Sequence, residues 1–318
     1  MLDDRVVEAL EHKACRPVIP GIRPVADVPV CAVAMARPEP TRVALVVHPT
    51  RVVAEARATV ERWAEQHALE VVQIPLAAGS DAVAPGDLVV ALGGDGTVLA
   101  ALRASAAAGA PVLGVACGSL GVLTAVAVER LAASLERVWT GDWTARMLPA
   151  VAIEVADGPD AWALNDFVVH RRGAGQVVVH LSIDDELYAR VAGDGLIVAS
   201  PLGSTAYSMA AGGPVLAPDS AAFVCTPLAM HGGSAPPVVV PAGASISLQV
   251  YPGFGGFGVE IDGHGHPGAA HVYRLTLHRD KVALVSCGEP GRWIAGLRQR
   301  QLILDSPRVL ARDARGGQ

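Results

Sequence analysis

The amino-acid sequence predicts an α/β N-terminal domain with a mostly parallel sheet, followed by a β-rich C-terminal domain. Between residues 42 and 140, continuous apolar strands alternate with amphipathic helices over short connections. That alternation is typical of a parallel sheet with helices on both faces. After about Met147, short strands follow one another with Gly and Pro between them, which favours a β-domain. A glycine-rich turn joins one buried strand to a helix, and it marks the candidate site.

The strands of the first domain are recognised by their unbroken apolar runs. Val43–His48, Asp87–Leu92 and Pro111–Val115 each lack the alternation of a half-exposed strand, so we expect both faces of this sheet to be covered. A shorter strand is predicted at Val71–Ile74. Apolar residues at spacings of three and four predict a helix after the first strand and another over residues 128–139.

The second domain is predicted from shorter runs separated by turn residues. The candidate strands are Ala150–Val155, Trp162–His170, Gln176–Ile183, Leu187–Val191, Val238–Val240, Ser245–Tyr251, Val259–Asp262, His271–His278 and Ala283–Cys287. A closing helix is predicted at Arg292–Leu302. Before all of this, residues 1–41 form an arm with one possible helix at Asp3–Ala14 and six later prolines, which remove backbone donors and favour extended chain.

Composition excludes several classes of protein. The 318 residues carry a net charge of −6, whereas a nucleic-acid-binding domain normally presents a basic face. The five cysteines form no C-x-x-C pair, so neither a zinc site nor a disulfide framework is predicted. The acidic N-terminus does not resemble a secretory signal, and no long uncharged apolar run predicts a membrane span. We therefore expect a cytoplasmic protein without a nucleic-acid or membrane partner.

The sequence Gly93-Gly94-Asp95-Gly96-Thr97 stands where a buried strand ends and a helix begins. Ligands bind at the carboxyl ends of strands in open parallel sheets, and glycine backbone at a helix N-terminus favours phosphates. A carboxylate would repel anions, but it suits the acceptance of a proton from an attacking hydroxyl or the binding of Mg²⁺. The alternative is a tight turn in which Asp95 caps the helix.

A second motif is dense in glycine and small hydroxyl residues. It comprises Gly193–Leu196, Ser200–Ser208 and Ala211–Pro214. Such a stretch can place backbone amides, hydroxyls and one tyrosine ring against a nucleoside. The alternative is a Gly/Ser-rich loop that leads into a helix. His264 and His266 lack a third nearby ligand, so no metal site is predicted there.

Five stretches of this chain, taken together and in this order, resemble the NAD kinase family. They are LGGDGTVLAALR, GVACGSLGVLT, LNDFVVHR, DGLIVASPLGSTAYSMAAGGP and the IDGH stretch. The similarity covers roughly residues 43–303. It implies the family's two-domain fold, in which the last segment returns to the first domain. The domains would then be an arm at 1–41, an α/β domain with the GGDGT loop at 42–146, a β-rich substrate domain at 147–275 and a returning segment at 276–318.

The resemblance also implies an activity and its residues. The family transfers a phosphoryl group from ATP, or polyphosphate in some members, to the 2′-hydroxyl of the adenosine ribose of NAD. Carried onto this chain, Asp95 would be the general base. The phosphate-binding residues would be Gly93, Gly94, Gly96 and Thr97. Arg103, two helical turns further on, is a weaker candidate for the same role; the alternative is that its side chain is simply solvated on the helix surface. The substrate-binding residues would be Asn165, Asp166, Asp194, Ser204, Thr205, Ala206, Tyr207 and Asp262.

The chain departs from the family pattern on the expected acceptor side. Ala116 replaces an Asn, Asp166 a Glu, and Leu202 a Thr or Ser. A family Arg is lost in the stretch His231–Pro237. Changes of buried polar groups alter substrate choice strongly, so two alternatives remain: a kinase for a hydroxyl of another nucleoside or nucleotide, and a non-catalytic nucleotide sensor.

The expected ligands follow from the same resemblance. They are ATP with Mg²⁺ or another divalent metal, and NAD or another nucleotide-like acceptor. A homodimer or homotetramer is expected, since family members usually complete their sites with a neighbouring subunit.

Overall fold

The computed structural model describes most of the chain after the predicted arm. The described residues belong to one compact unit. The helix predicted at Asp3–Ala14 lies outside the described residues, as does nearly all of the arm. The described residues are 39–50, 53–77, 80–118, 121–124, 126–156, 158–267, 270–287 and 293–316.

Four parallel strands form the N-terminal part of the larger sheet. Their spatial order is β4, β3, β1, β2, and every neighbouring pair is parallel. All residues of β3 and β4 are buried, as the unbroken apolar runs predicted. The strands are β1 (Arg42–Val47), β2 (Glu70–Ile74), β3 (Asp87–Gly93) and β4 (Val112–Ala116), with a two-residue β5 (Val126–Ala127) beside β4.

Helices cover both faces of this parallel sheet. Successive residues of each strand point to opposite faces, so each strand offers apolar side chains to both layers of helices. On one face, α1 (Ala54–Gln66) and α3 (Leu131–Trp139) pack against the side of the sheet that carries Val43 and Leu45. On the other face, α2 (Asp95–Ser105) packs against the side that carries Ala44. The predicted α/β arrangement is confirmed.

The same sheet continues into antiparallel strands through one long strand. β17 (Val272–Ser286) pairs in parallel with β4 and antiparallel with β14 and β6. The full order is β10-β9-β14-β17-β4-β3-β1-β2, with β6 on β17 and β7 on β6. The further strands are β6 (Thr144–Val155), β7 (Ala161–Ala163), β9 (Val177–Ile183), β10 (Glu186–Gly193) and β14 (Ile246–Tyr251).

A second, wholly antiparallel sheet packs on these antiparallel strands. Its order is β13-β12-β11-β8-β15-β16. Phe167, Leu196 and Phe223 from this sheet meet Leu248 and Leu275 from the first in a common core. The strands are β8 (Asp166–Arg171), β11 (Gly195–Ala199), β12 (Ala222–Leu228), β13 (Val238–Pro241), β15 (Phe257–Ile261) and β16 (His264–His266).

Three local predictions differ from the structure. The strand predicted at Trp162–His170 is two strands, since the chain turns at residues 164 and 165. The strands predicted at His271–His278 and Ala283–Cys287 are one strand with a register irregularity between His278 and Val282. The strands β11 and β12 have no counterpart among the predicted strands. The start of β11 lies in the glycine- and hydroxyl-rich motif, for which a ligand-binding stretch or a loop is predicted.

Three short helices complete the described chain. They are α4 (Tyr207–Ala210), α5 (Trp293–Gln299) and α6 (Pro307–Gly316). The second lies within the predicted closing helix, and the third was not predicted. In the part of the chain that the structure describes, no helix has both the length and the apolar character required to cross a bilayer.

Candidate active site

The glycine-rich turn lies between the end of β3 at Gly93 and the start of α2 at Asp95. Gly94 is the N-cap residue, and its carbonyl accepts hydrogen bonds from Thr97 N at 2.9 Å and Val98 N at 3.1 Å. A side chain at Gly93 would overlap the hydroxyl of Thr97, so only glycine fits here. The turn therefore presents bare backbone at the N-terminus of a helix, where the first N–H groups have no partner within the helix.

Asp95 does not cap its own helix. Its carboxylate reaches across to the loop at residues 121–124, where Oδ2 accepts a hydrogen bond from Val122 N and Oδ1 from Leu123 N, both at 2.9 Å. A Cβ at Gly121 would overlap this carboxyl group. Two backbone donors thus hold a half-buried carboxylate in one orientation. Each oxygen keeps capacity for a second hydrogen bond.

The Thr97 hydroxyl is unusual among the described side chains. It is buried, and Oγ1 has no hydrogen-bond partner among the described residues. Buried hydroxyl groups in native proteins nearly always have a partner. A ligand oxygen beside the glycine-rich turn would satisfy it.

A second group of predicted residues meets at the turn between β7 and β8, here called the acceptor turn (Leu164, Asn165 and Asp166). The carboxylate of Asp262 accepts a hydrogen bond from each of the three backbone N–H groups of the acceptor turn. Oδ2 accepts from Leu164 N at 3.1 Å, and Oδ1 accepts from Asn165 N at 2.7 Å and Asp166 N at 3.2 Å. This bonding breaks the strand that the sequence predicted to run through Trp162–His170.

Arg103 joins the same group from α2. Its Nη1 donates to Asp262 Oδ2 at 2.9 Å. Burial raises the pKa of Asp262 above its ordinary value, while Arg103 and the three amides of the acceptor turn act in the opposite direction. The Arg103 side chain, which is 34% exposed, thus binds a buried carboxylate with its guanidinium.

Asp166 is the second buried carboxyl group of the acceptor turn. Only 5% of the residue is exposed. Burial, followed by the charges of Asp262 and Glu260, raises the pKa of Asp166 to about 7. Near neutral pH this group therefore exists in both protonation states, and the protonated carboxyl can donate a hydrogen bond to a ligand.

The hydroxyl-rich segment at residues 200–208 lies directly against the acceptor turn. Ser200 N donates to Asn165 O at 2.8 Å, and a side chain at Gly203 would overlap the backbone of Asn165. Within the segment, Ser204 Oγ donates to Pro201 O at 2.7 Å and accepts from Leu216 N at 2.9 Å. The fully buried Ser204 side chain thus serves the segment's own structure, and Thr205 Oγ1 likewise bonds to Leu202 O at 3.1 Å.

A cleft of about 360 Å³ opens beside this segment. Two predicted residues, Asp194 and Tyr207, line it. Arg171 Nε donates to Asp194 Oδ1 at 2.5 Å, and His231 Nε2 lies 3.6 Å from the same oxygen. The hydrogen bond from Arg171 lowers the pKa of Asp194. The other lining residues are Val168, His170, Arg171, Leu228 and Glu260.

The apolar core links the glycine-rich turn to the acceptor side. Val98 and Leu102 of α2 share one buried cluster with Leu164 of the acceptor turn and Leu202 of the hydroxyl-rich segment. Leu202 is 6% exposed. This departure from the family pattern therefore lies in the apolar core that also contains α2 residues.

Sequence reasoning missed the residues that hold the predicted ones in place. No role is predicted for the amides of Val122 and Leu123, which bind Asp95, and Arg171, which binds Asp194, is not among the predicted site residues. Backbone partners carry no side-chain signal, and the partner of Arg171 becomes visible only when β8 and β11 are paired. Among the described residues, no three His, Cys, Asp or Glu side chains are grouped to hold a metal ion.

Comparisons with known proteins agree with this arrangement. The ATP-NAD kinase N-terminal domain model matches residues 77–143, and the ATP-NAD kinase C-terminal domain model matches residues 164–269. A protein named NAD kinase from Heliobacterium modesticaldum is 41% identical over 183 residues, which are 56% of this chain and 64% of that protein. An NAD kinase of Pseudomonas paraeruginosa is 38% identical over 204 residues, 61% of this chain and 68% of that protein.

Two solved structures share the fold. Yeast NADH kinase complexed with NADH has a TM-score of 0.69 at 21% identity and covers 85% of this chain and 90% of its own. An NAD kinase from Archaeoglobus fulgidus in complex with ATP has a TM-score of 0.66 at 26% identity and covers 82% of this chain and 100% of its own. The matched regions of the first three curated relatives span 64%, 59% and 63% of those proteins, which is less than two thirds of their length.

Proposed function

This chain belongs to the NAD kinase family, and from that premise we propose that it transfers a phosphoryl group from ATP to the 2′-hydroxyl of the adenosine ribose of NAD, giving NADP. One observation carries the proposal. The carboxylate of Asp95 is held by two backbone amides where bare glycine backbone meets a helix N-terminus. A proton acceptor and an anion-binding backbone are thereby combined at one place, as phosphoryl transfer to an alcohol requires.

In the proposed reaction, the residues at the glycine-rich turn have separate tasks. Asp95 accepts the proton of the attacking hydroxyl, since each of its oxygens retains an open acceptor position. The backbone of Gly94 and Gly96 and the N-terminus of α2 bind the phosphates of the donor. The buried Thr97 hydroxyl, which lacks a protein partner among the described residues, donates to a phosphate oxygen.

The proposed acceptor site comprises the acceptor turn and the cleft. Asn165 and Asp166 would hold ribose hydroxyls, and Asp194 and Tyr207 would contact the dinucleotide from the wall of the cleft. Thr205 and Ala206 belong to the segment that carries Tyr207. The close approach of Ser200 and Gly203 to Asn165 supports a joint role for these two stretches.

We propose that a divalent metal binds together with the donor nucleotide. Mg²⁺ is usually held by one or two carboxylates together with substrate phosphates and waters. Asp95 is a carboxylate at the glycine-rich turn proposed to bind the phosphates, which suits that mode. We therefore propose MgATP as the substrate form. A cytoplasmic location and a homodimeric or homotetrameric assembly also remain proposals.

A second candidate is phosphorylation of another nucleotide hydroxyl. Asp166 favours it, because the side chain is one methylene shorter than the family's Glu and is almost fully buried. A shorter carboxyl group changes which hydroxyl can reach it.

Product masses test both candidates. The full chain is incubated with ATP, Mg²⁺ and, in separate reactions, NAD, NADH and free nucleosides, and the products are identified by mass spectrometry. We expect the mass of one added phosphoryl group on NAD, and fragmentation should place it on the adenosine ribose. Phosphorylation of another acceptor alone would favour the second candidate. Tight NAD binding without any phosphorylated product would instead support a nucleotide sensor.

A further inference from the structure

We propose that Asp262 is a positioning residue: together with Arg103 it locks the acceptor turn to α2, the helix that begins at Asp95. This inference rests on the proposed function, because it concerns how the donor-side and acceptor-side residues are held in register. It differs from the role that the resemblance implied, in which Asp262 itself contacts the substrate.

The surroundings of Asp262 leave little of its carboxylate for a ligand. Its side chain is fully buried, and its two oxygens accept four hydrogen bonds from protein groups, one from Arg103 and three from the acceptor turn. Its own backbone N–H donates to Asp166 O at 2.9 Å. A carboxylate has about four acceptor positions, so the protein already uses all of them.

The acceptor turn depends on this carboxylate in return. Three consecutive backbone N–H groups that point to one place form an anion-binding concavity. In this chain the anion is internal, because Asp262 fills the concavity. Removing its charge would leave these three N–H groups, two of them buried, without a charged acceptor, and Asn165 and Asp166 would lose their fixed orientation.

Arg103 connects Asp262 and the acceptor turn to α2. Arg103 lies eight residues after Asp95 on α2, about 12 Å along the helix axis. Its guanidinium carbon lies 5.7 Å from the ring centre of Trp162, which is two residues before the acceptor turn. Lys281 Nζ lies 5.3 Å from the centre of the same ring. The guanidinium thus contacts Trp162 and, through Asp262, the acceptor turn.

The consequence is geometric. The helix that starts with the proposed general base also carries the cation that fixes the residues proposed to hold the acceptor ribose. Phosphoryl transfer depends on such positioning, and a misplacement of about 1 Å costs on the order of 10²-fold in rate. Loss of the Arg103–Asp262 pair should therefore lower kcat by more than a smaller fraction of folded protein would explain.

Four variants of the full chain test the proposal. Arg103→Met keeps the aliphatic stem but removes the charge, and Arg103→Lys keeps the charge. Asp262→Asn keeps the shape but places an amide among donors. Arg42→Met is the matched control, since Arg42 makes a comparable ion pair with buried Asp87, at 2.6 and 2.9 Å, away from the acceptor turn.

The first measurement is kcat and KM for both nucleotides, with the thermal unfolding midpoint of each variant. We expect Arg103→Met and Asp262→Asn to lose on the order of 10²-fold in kcat, with partial recovery in Arg103→Lys. Arg42→Met should lose stability but keep kcat. If Arg103→Met loses stability as Arg42→Met does and its kcat stays within twofold of the original, the proposal is overturned. An unchanged kcat with a large rise in KM for the acceptor overturns it as well, because that pattern indicates direct substrate contact.

A second measurement does not depend on activity. Hydrogen exchange of the peptide that contains residues 164–166 should become faster in Arg103→Met than in the original chain, while peptides from β11 keep their protection. If the original chain phosphorylates none of the acceptors, the proposed function fails, yet the exchange result still decides the positioning role. Unchanged exchange in Arg103→Met would refute the lock. Should Asp262→Asn not fold, the two Arg103 variants carry the test alone.

Discussion

At the residue scale, three aspartates near the proposed reaction differ in what surrounds them. Asp95 is half-buried and bound by two amides, Asp262 is fully buried and bound by four donors, and Asp166 is buried beside two other carboxylates. The same type of side chain is therefore proposed for three different tasks. The number of hydrogen-bond donors around each carboxyl group, together with its burial, distinguishes the proposed proton acceptor from the positioning residue and the ligand-binding residue.

The first residue-scale prediction concerns Asp95. Asp95→Asn removes the proton acceptor, and a general base typically contributes about 10²–10⁴-fold, so turnover should fall by at least that order. One of the two amide hydrogen bonds is also lost, which costs about 1 kcal/mol of stability. Steady-state kinetics and circular dichroism measure the two effects. Asp185→Asn, at an exposed site, serves as a control, and near-normal turnover of the Asp95 variant would remove Asp95 from its role.

The second residue-scale prediction concerns the pH dependence of Asp166. Because its pKa is raised to about 7, the folded protein binds a proton more tightly than the unfolded chain. The stabilisation is complete below the ordinary pKa of an aspartate and is lost as the pH rises through about 7. One pKa unit corresponds to about 1.4 kcal/mol, so the free energy of unfolding should fall by a few kcal/mol across this range.

Urea denaturation of the original chain and of Asp166→Asn, at several pH values between about 4 and about 8, measures this slope. The Asn variant should lack the contribution of Asp166, and the difference between the two proteins should change steadily with pH. Two parallel stability curves would contradict the raised pKa of Asp166.

At the element scale, glycines determine how closely loops approach the site. Gly121 allows the loop at residues 121–124 to lie against the Asp95 carboxyl group, and Gly203 allows the hydroxyl-rich segment to lie against Asn165. The Asp95 carboxyl group occupies the space of a Cβ at Gly121, and the Asn165 backbone occupies that space at Gly203. Side-chain size at these positions thus controls the geometry of the proposed reaction.

The element-scale prediction follows from Gly121. In Gly121→Ala the added methyl overlaps the carboxyl group of Asp95, so the loop must shift and the hydrogen bonds from Val122 and Leu123 weaken. We expect turnover to fall about 10-fold or more, since misplaced catalytic groups lose rate steeply. Gly243→Ala is the control, because a Cβ there meets no heavy atom within 4 Å. Equal turnover of both variants would show that the loop does not orient Asp95.

At the scale of the whole molecule, one sheet runs through both parts of the chain. β17 pairs with β4 on the α/β side and with β14 and β6 on the antiparallel side. The buried cluster around α2 also includes Leu164 and Leu202 from the later part of the sequence. The two parts therefore share hydrogen bonds and apolar core.

The whole-molecule prediction is a single unfolding transition. Because the shared sheet couples the two parts, denaturation followed by tryptophan fluorescence and by far-ultraviolet circular dichroism should give coincident curves. Val285→Ala, at a fully buried position of β17, should move both curves together, by about 1–3 kcal/mol in the free energy of unfolding. Separate transitions for the two probes would contradict this coupling.

The fold class, the family resemblance and the glycine-rich turn could all be predicted from the amino-acid sequence. Continuous apolar runs such as Asp87–Leu92 report burial on both faces directly, and the bare glycines before Asp95 admit few other structures. These are local signals, since each is contained in a stretch of about ten residues or fewer. For the same reason, the predicted bounds of the parallel strands agree with the structure better than the predictions for the strands next to the hydroxyl-rich segment.

The partners of the individual site residues could not be predicted, because they come together only in the folded chain. Asp262 follows Arg103 by 159 residues and Leu164 by 98, and no local pattern indicates that these groups meet. The same holds for the strand break at the acceptor turn, because a carboxylate from a distant strand binds the amides that a continuous strand would have used. Burial and hydrogen-bond partners depend on which strands become neighbours, and that is a property of the assembled sheets.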